Sequence, residues 1–123
     1  MIEPNSELVI DYELVRNNIQ VIKRNLAPNC KIMGIIKSNA YGHDLEKTTR
    51  ALDDSIDGYG VVRLQEALKI RENSSKPVLA MQGVYSSDAY DALKKIIFGQ
   101  SSIQFLNYHW QSNIKMICFF GLK

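Results

Sequence analysis

The sequence predicts an α/β protein built around a parallel sheet. Three apolar segments, at residues 31–36, 58–62 and 76–83, have the length of strands, and the first is nearly continuous rather than alternating, as expected for a strand covered on both faces. Segments with helical spacing of apolar residues lie between them, and glycine, proline, serine or asparagine mark the junctions. Strand, turn, helix and strand in this order predict right-handed β-α-β units with parallel strands.

The amino-terminal part predicts one strand and one helix before the first long apolar segment. Residues 7–10 predict a short strand, and Asp11 is expected to cap the helix that follows. Pro28 and Asn29 should close this helix. Its apolar face comprises Val15, Ile19, Ile22 and Leu26.

Three later helices complete the units. Asp44 is expected to cap a helix that reaches about Ser55, with Leu45, Thr48 and Leu52 on its inner side. A second helix covers residues 64–71. A third follows Ser86 or Ser87 as its cap, and its apolar face comprises Ala89, Ala92, Leu93 and Ile96. A last apolar run, residues 116–120, could form a strand, but nothing follows it that would cover it.

Lys37 is the candidate functional residue, because it follows the first long strand at the edge where parallel sheets place their ligands. A lysine at a strand end usually only carries its charge into solvent. Here the sequence IIKSNAYGH surrounds it at residues 35–43. This run closely resembles the signature of alanine racemases, in which a hydrophobic pair, lysine and a small residue precede Asn-Ala-Tyr-Gly-His.

The resemblance implies a cofactor and two site residues. In alanine racemases the lysine holds pyridoxal 5'-phosphate as a Schiff base, which assigns that role to Lys37, and the tyrosine that binds the cofactor phosphate corresponds to Tyr41. An amine attacks a carbonyl only when neutral, and burial disfavours the charged form of lysine. His43 could orient the loop or simply precede the next helix. The second interpretation is favoured, and His43 receives no catalytic role.

Composition excludes several other classes of function. The 123 residues have 46% hydrophobic and 23% charged content, and a net charge of +2 without a basic stripe gives no indication of nucleic acid binding. No apolar run approaches the length of a membrane span and no targeting segment is recognisable, so a cytoplasmic location is expected. Cys30 and Cys118 are too far apart to suggest a zinc site or a disulfide framework.

The resemblance also implies an architecture and an activity. It covers about the first four β/α units of an eight-stranded TIM-type barrel, weakens over residues 101–123, and predicts that residues 1–123 form the truncated amino-terminal part of a homodimeric enzyme. Full-length members interconvert L-alanine and D-alanine, which supplies peptidoglycan synthesis. The second catalytic base and the arginine that binds the substrate carboxylate have no counterpart here, so the chain alone is expected to be inactive. The alternatives are a racemase for serine or a basic amino acid, and a non-catalytic remnant.

Overall fold

Lys31–Ile35 forms the first strand, β1, and its side chains are buried on both faces of the sheet. Ile32 packs on the face that the helices cover, whereas Met33 and Ile35 lie on the opposite face with Leu79. The computed structural model describes residues 6–81, 86–89, 91, 103–104 and 114–118. Burial on both faces confirms the interpretation of the uninterrupted apolar run.

β1 belongs to a five-stranded parallel sheet and has a neighbouring strand on each side. The other strands are β2 at Gly58–Val61, β3 at Val78–Ala80, β4 at Ile103–Gln104 and β5 at Ile114–Cys118. Their order in the sheet is β4-β3-β2-β1-β5, and every neighbouring pair is parallel. The predicted α/β class with parallel strands is therefore confirmed. A closed barrel is not shown by these residues and stays a prediction.

Within residues 6–81, four helical segments connect or flank the strands. They are α1 at Tyr12–Arg24, the single turn α2 at Lys37–Tyr41, α3 at Leu45–Leu52 and α4 at Leu64–Arg71. The expected caps are present: Asp11 accepts from the N–H groups of Glu13 and Leu14, and Asp44 accepts from that of Lys47 at 3.0 Å. These bonds satisfy first-turn donors that have no partner within the helix.

The main core lies between the sheet and the helices. Its buried residues include Ile19 from α1, Leu52 from α3 and Ile70 from α4, which pack against the strand residues Ile36 and Tyr59. The predicted inner side of α3 is confirmed, since Leu45, Thr48 and Leu52 are all buried. This layer fixes the helices that follow β1 and β2, and therefore the loops at the carboxyl ends of those strands.

The prediction of a strand at residues 7–10 is wrong. This stretch has no regular structure, and the side chains of Leu8 and Val9 are 74% and 76% exposed. A strand needs a neighbour to satisfy its backbone groups, and none of the described strands pairs with this stretch. The local preference of residues 7–10 for extended backbone was therefore insufficient to form a strand.

The carboxyl-terminal predictions are met in part. Ser86 Oγ accepts from the N–H of Ala89 at 3.2 Å, and residues 87–89 are helical, as expected for the cap of the third helix. Ala92, Leu93 and Ile96 lie outside the described residues. Of the strand predicted at residues 116–120, residues 116–118 belong to β5, which begins at Ile114 and pairs with β1 along its whole length, while residues 119 and 120 lie outside the described residues.

Candidate active site

Lys37 lies two residues beyond β1, at the carboxyl edge of the sheet, as predicted. Its neighbour Ile36 is fully buried and donates its N–H to the carbonyl oxygen of Gly60 at 2.9 Å, which ties the end of β1 to β2. Lys37 itself is half-buried. The lysine therefore starts from a fixed strand end, and its side chain is only partly withdrawn from solvent.

The turn that follows Lys37 is left-handed. Residues 38–41 have φ values of 53°, 54°, 55° and 54°, although none of them is glycine. The N–H of Ala40 donates to the carbonyl of Ile36 at 2.9 Å, so α2 is one turn of left-handed helix that ends at Gly42, where φ is 87°. Left-handed backbone costs roughly 1–2 kcal/mol for each such residue. Other interactions must hold this turn in place.

Asn39 makes two of the stabilising contacts. Its side-chain oxygen accepts from the N–H of Leu45 at 2.9 Å, which joins the turn to the start of α3. Its backbone N–H donates to Oε1 of Glu66 at 3.4 Å, which joins the turn to the start of α4. The two helices next to the turn thus both contact the residue two positions after Lys37.

His43 fixes the other end of the turn. Its Nδ1 lies 2.9 Å from the carbonyl oxygen of Ala40, and because a carbonyl only accepts, Nδ1 carries the hydrogen. The carbonyl of His43 accepts from the hydroxyl of Tyr12 at 2.6 Å and from Thr48 Oγ1 at 3.2 Å. This geometry favours the loop-orienting interpretation of His43 over that of a plain histidine before α3.

Tyr12 links α1 to the same region. Burial raises the pKa of its hydroxyl, and the nearby charge of Asp44 raises it further, while a hydrogen bond with Thr48 acts in the opposite direction. The hydroxyl therefore stays protonated and can donate to the carbonyl of His43 over the whole neutral range.

A cavity of about 780 Å³ adjoins Lys37, between the left-handed turn and the start of α4. Three cationic side chains and one carboxylate line it: Lys37, Arg63, Lys69 and Glu66. The remaining lining residues are Ser38, Asn39, Leu45, Val62 and Gln65. This excess of positive charge suits a ligand that carries an anionic group.

Tyr41, the second predicted site residue, belongs to the same turn as Lys37 and is half-buried. It does not line the cavity. The structure therefore brings Lys37 and Tyr41 onto one turn without placing both at one described cavity.

Glu66 was not predicted as a site residue. It occupies the first turn of α4, and its Oε2 accepts from the N–H of Arg63 at 3.2 Å. A carboxylate three residues into a helix is a sequence signal for such a cap. Its contact with Asn39, 27 residues earlier in the chain, has no local signal.

A family model described as alanine racemase, N-terminal domain, matches residues 10–113. This chain belongs to the alanine racemase family. It is 45% identical over 73 residues to the alanine racemase of Mannheimia succiniciproducens, and 43% identical over 81 residues to the biosynthetic alanine racemase of Escherichia coli K12. These matches cover 58% and 65% of the chain, but only 20% and 22% of the relatives. The chain thus spans about a fifth of their length.

Solved structures agree with this assignment. The alanine racemase of Acinetobacter baumannii is 39% identical and superposes with a TM-score of 0.62 over 71% of this chain and 26% of that chain. Within the ranges described for this racemase relative, no helix is long and apolar enough to cross a membrane. The same ranges contain no group of three or more histidine, cysteine, aspartate or glutamate residues suited to a metal ion.

Proposed function

We propose that this chain supplies the lysine-bearing part of an alanine racemase site, with pyridoxal 5'-phosphate as cofactor and alanine as substrate. The observation that carries the proposal is the position of Lys37. It follows a fixed strand end, begins the left-handed turn and lines the 780 Å³ cavity. The family membership supports racemase chemistry for full-length relatives.

The residues around Lys37 fit the proposed cofactor. A cavity of this volume lies within the range of about 300–1,000 Å³ that is usual for small-molecule sites. Arg63 and Lys69 add positive charge beside Lys37, which favours a phosphate-bearing molecule. Tyr41 lies on the same turn but does not line this cavity, and its proposed hydrogen bond to the phosphate rests on the family resemblance alone. When bound, pyridoxal phosphate supplies an electron sink for the carbanion that forms as an amino acid loses its α-proton.

Lys37 has two proposed tasks. Its Nζ would hold the cofactor covalently and, once released, would take or return the α-proton on one face of the amino acid. The fixed end of β1, held by the bond from Ile36 to Gly60, limits where Nζ can move. The turn therefore orients the base toward a single face.

Racemisation needs a second base on the opposite face, which in full-length relatives we expect a homodimer partner to supply. These 123 residues span about a fifth of the related enzymes, so we propose that they do not racemise alanine by themselves. The same observation favours the alternative of a non-catalytic chain that folds without turnover. A preference for serine or a basic amino acid would depend on residues outside this chain.

Covalent labelling tests the role of Lys37. Pyridoxal phosphate is added to the purified chain, the adduct is reduced with borohydride, and the modified peptide is mapped. We expect the label at Lys37, its loss in Lys37→Ala, and no change in the control Lys47→Ala, whose side chain is 70% exposed. A label spread over surface lysines would contradict the proposal.

Two further measurements test the remaining roles. Tyr41→Phe should weaken cofactor binding by about tenfold or more, as expected for one charge-assisted hydrogen bond. An unchanged affinity would refute the phosphate role. D-alanine formation by the purified chain should be absent, whereas exchange of the α-hydrogen with deuterated water, without inversion, would agree with a single base. Racemisation at a rate typical of enzymes would overturn the proposed inactivity.

A further inference from the structure

Glu66 bridges the loops that follow two neighbouring strands. Its Oε1 accepts from the N–H of Asn39, after β1, at 3.4 Å, and its Oε2 accepts from the N–H of Arg63, after β2, at 3.2 Å. Only an ionised carboxylate offers acceptors at both oxygens and no competing donor. A neutral amide of the same size could accept one of these bonds but not both.

The bridge supplies an acceptor for the N–H of Asn39 in the left-handed turn, which has no acceptor within the turn itself. The N–H of Ala40 donates to the carbonyl oxygen of Ile36, the residue directly after β1. The N–H of Asn39 lies one residue earlier and finds its acceptor in Glu66. Because the turn is held in a sterically unfavourable backbone, such an external bond favours the observed conformation over extended alternatives.

A purely structural role for Glu66 is the competing explanation. Glutamate at the third position of a helix commonly accepts the N–H of the N-cap residue, as Glu66 does with Arg63. Arg63 has no acceptor in its side chain, so only this half of the reciprocal cap is formed. The contact with Asn39 is not part of such a cap and requires another account.

We propose that Glu66 is a positioning residue for Lys37, which acts by tying the left-handed turn to α4 through the backbone of Asn39. The proposal rests on the proposed function of Lys37 as the cofactor-binding amine. Glu66 and Lys37 both line the cavity, so the bridging carboxylate and the amine lie at the same site. Breaking the bridge releases the turn and lets Lys37 move away from its productive position.

Two variants separate positioning from capping. Glu66→Asp keeps the negative charge in the first turn of α4, but its shorter side chain should not reach Asn39. Glu66→Gln keeps the length but loses one of the two acceptors. Glu46→Gln is the matched control, because Glu46 also lies in the first turn of a helix, where its side chain accepts a hydrogen bond from Arg50 of the same helix.

Amide hydrogen exchange followed by NMR gives the first measurement and needs no cofactor. In Glu66→Asp the Asn39 amide should exchange about fivefold faster or more, while the Ile36 amide, which is bonded to Gly60, keeps its protection. Glu46→Gln should change neither amide. Unchanged exchange at Asn39 in Glu66→Asp would overturn the bridge.

The reactivity of Lys37 gives the second measurement. In Glu66→Asp, labelling of Lys37 by pyridoxal phosphate and borohydride should slow by about fivefold or more, whereas methylation by formaldehyde and borohydride should accelerate as the side chain becomes more exposed. Equal rates of both reactions in Glu66→Asp and Glu46→Gln would assign Glu66 to capping alone. Failure of the wild-type chain to take the cofactor label would refute the function of Lys37, and the methylation rate would still decide the positioning.

Discussion

Tyr59 connects β2 to the helix layer through its hydroxyl. The side chain is fully buried, and the hydroxyl lies 3.0 Å from the carbonyl oxygen of Thr49 and 2.9 Å from Oδ1 of Asp53. Burial raises the pKa of this hydroxyl above its ordinary value of 10.0, and the hydrogen bond to Asp53 raises it further. The folded protein therefore keeps a proton that the unfolded chain releases at high pH.

This difference predicts how stability depends on pH. Below pH 10 both states bind the proton, so the contribution of Tyr59 is fully present, and it is lost as pH rises above 10, by about 1.4 kcal/mol for each pH unit. Tyr59→Phe should destabilise the protein by about 1 kcal/mol at pH 8, and the difference from wild type should shrink or reverse at pH 11. Urea unfolding at both pH values measures this. A difference that does not vary with pH would contradict the assigned cause.

At the scale of single elements, the left-handed turn predicts that a substitution by glycine raises the stability of the protein. Ser38 is exposed and has φ 53° and ψ 52°, so Ser38→Gly relieves the strain without removing buried contacts. Stability should rise by up to about 1 kcal/mol, after allowance for the greater entropy of the unfolded chain.

Ser75 provides the matched control for this prediction. It is also exposed and outside regular structure, but its φ is not in the positive range. Ser75→Gly should therefore destabilise the protein by about 0.4–1 kcal/mol. Thermal or urea unfolding of both variants decides the matter, and the same sign for both would argue against strain at Ser38.

The pairing of β5 with β1 predicts which amides of β1 are protected. The carbonyl of Ile32 accepts from Asp57 and the N–H of Ile36 donates to Gly60, so both residues bond toward β2. Since alternate residues of a parallel strand bond to opposite neighbours, the amides of Met33 and Ile35 face β5. Their protection depends on β5 being in place.

Proline substitutions in β5 test this pairing. In the observed register Met33 lies opposite Met116, so the N–H of Ile117 donates toward β1 and that of Met116 points away. Ile117→Pro should accelerate exchange at Met33 and Ile35 but not at Ile36. Met116→Pro should leave these amides protected, and equal effects of the two substitutions would contradict the register.

Local signals predicted the elements better than their partners. Asp11 and Asp44 were correctly assigned as caps because a cap depends on residues only two or three positions away. The handedness of residues 38–41 could not be predicted, because none is glycine and the bonds from Leu45 and to Glu66 that hold Asn39 come from other elements. The position of Lys37 just beyond β1 followed from the apolar run that ends there, and its role stays a prediction.

At the scale of the whole molecule, the sequence indicated parallel units but not the order of the strands. The structure places β5 beside β1, so that among the described strands β5 and the two-residue β4 form the two edges of the sheet. Because β5 is itself an edge strand, this pairing moves the open edge from β1 to β5. The placement of β5 is set by contacts far apart in sequence, which local patterns do not encode.

This topology predicts the association behaviour of the β5 variants. Ile117→Pro should expose the edge of β1 and increase self-association with protein concentration, whereas Met116→Pro should behave like wild type. Light scattering over a range of concentrations measures the effect. Identical size distributions for Ile117→Pro and wild type would show that β5 does not protect this edge.

The position of β5 also implies an order of events during synthesis. Strands β1, β2 and β3 and the helices between them can pack as soon as the first 81 residues are available. The pairing of β1 with β5 begins with Lys31 opposite Ile114, so it forms only after residue 114 has been synthesised. Until that late contact forms, the strand that leads to Lys37 has one unpaired side. The newly made chain is therefore most vulnerable to misassembly in the interval between the completion of β3 and the pairing of β5 with β1.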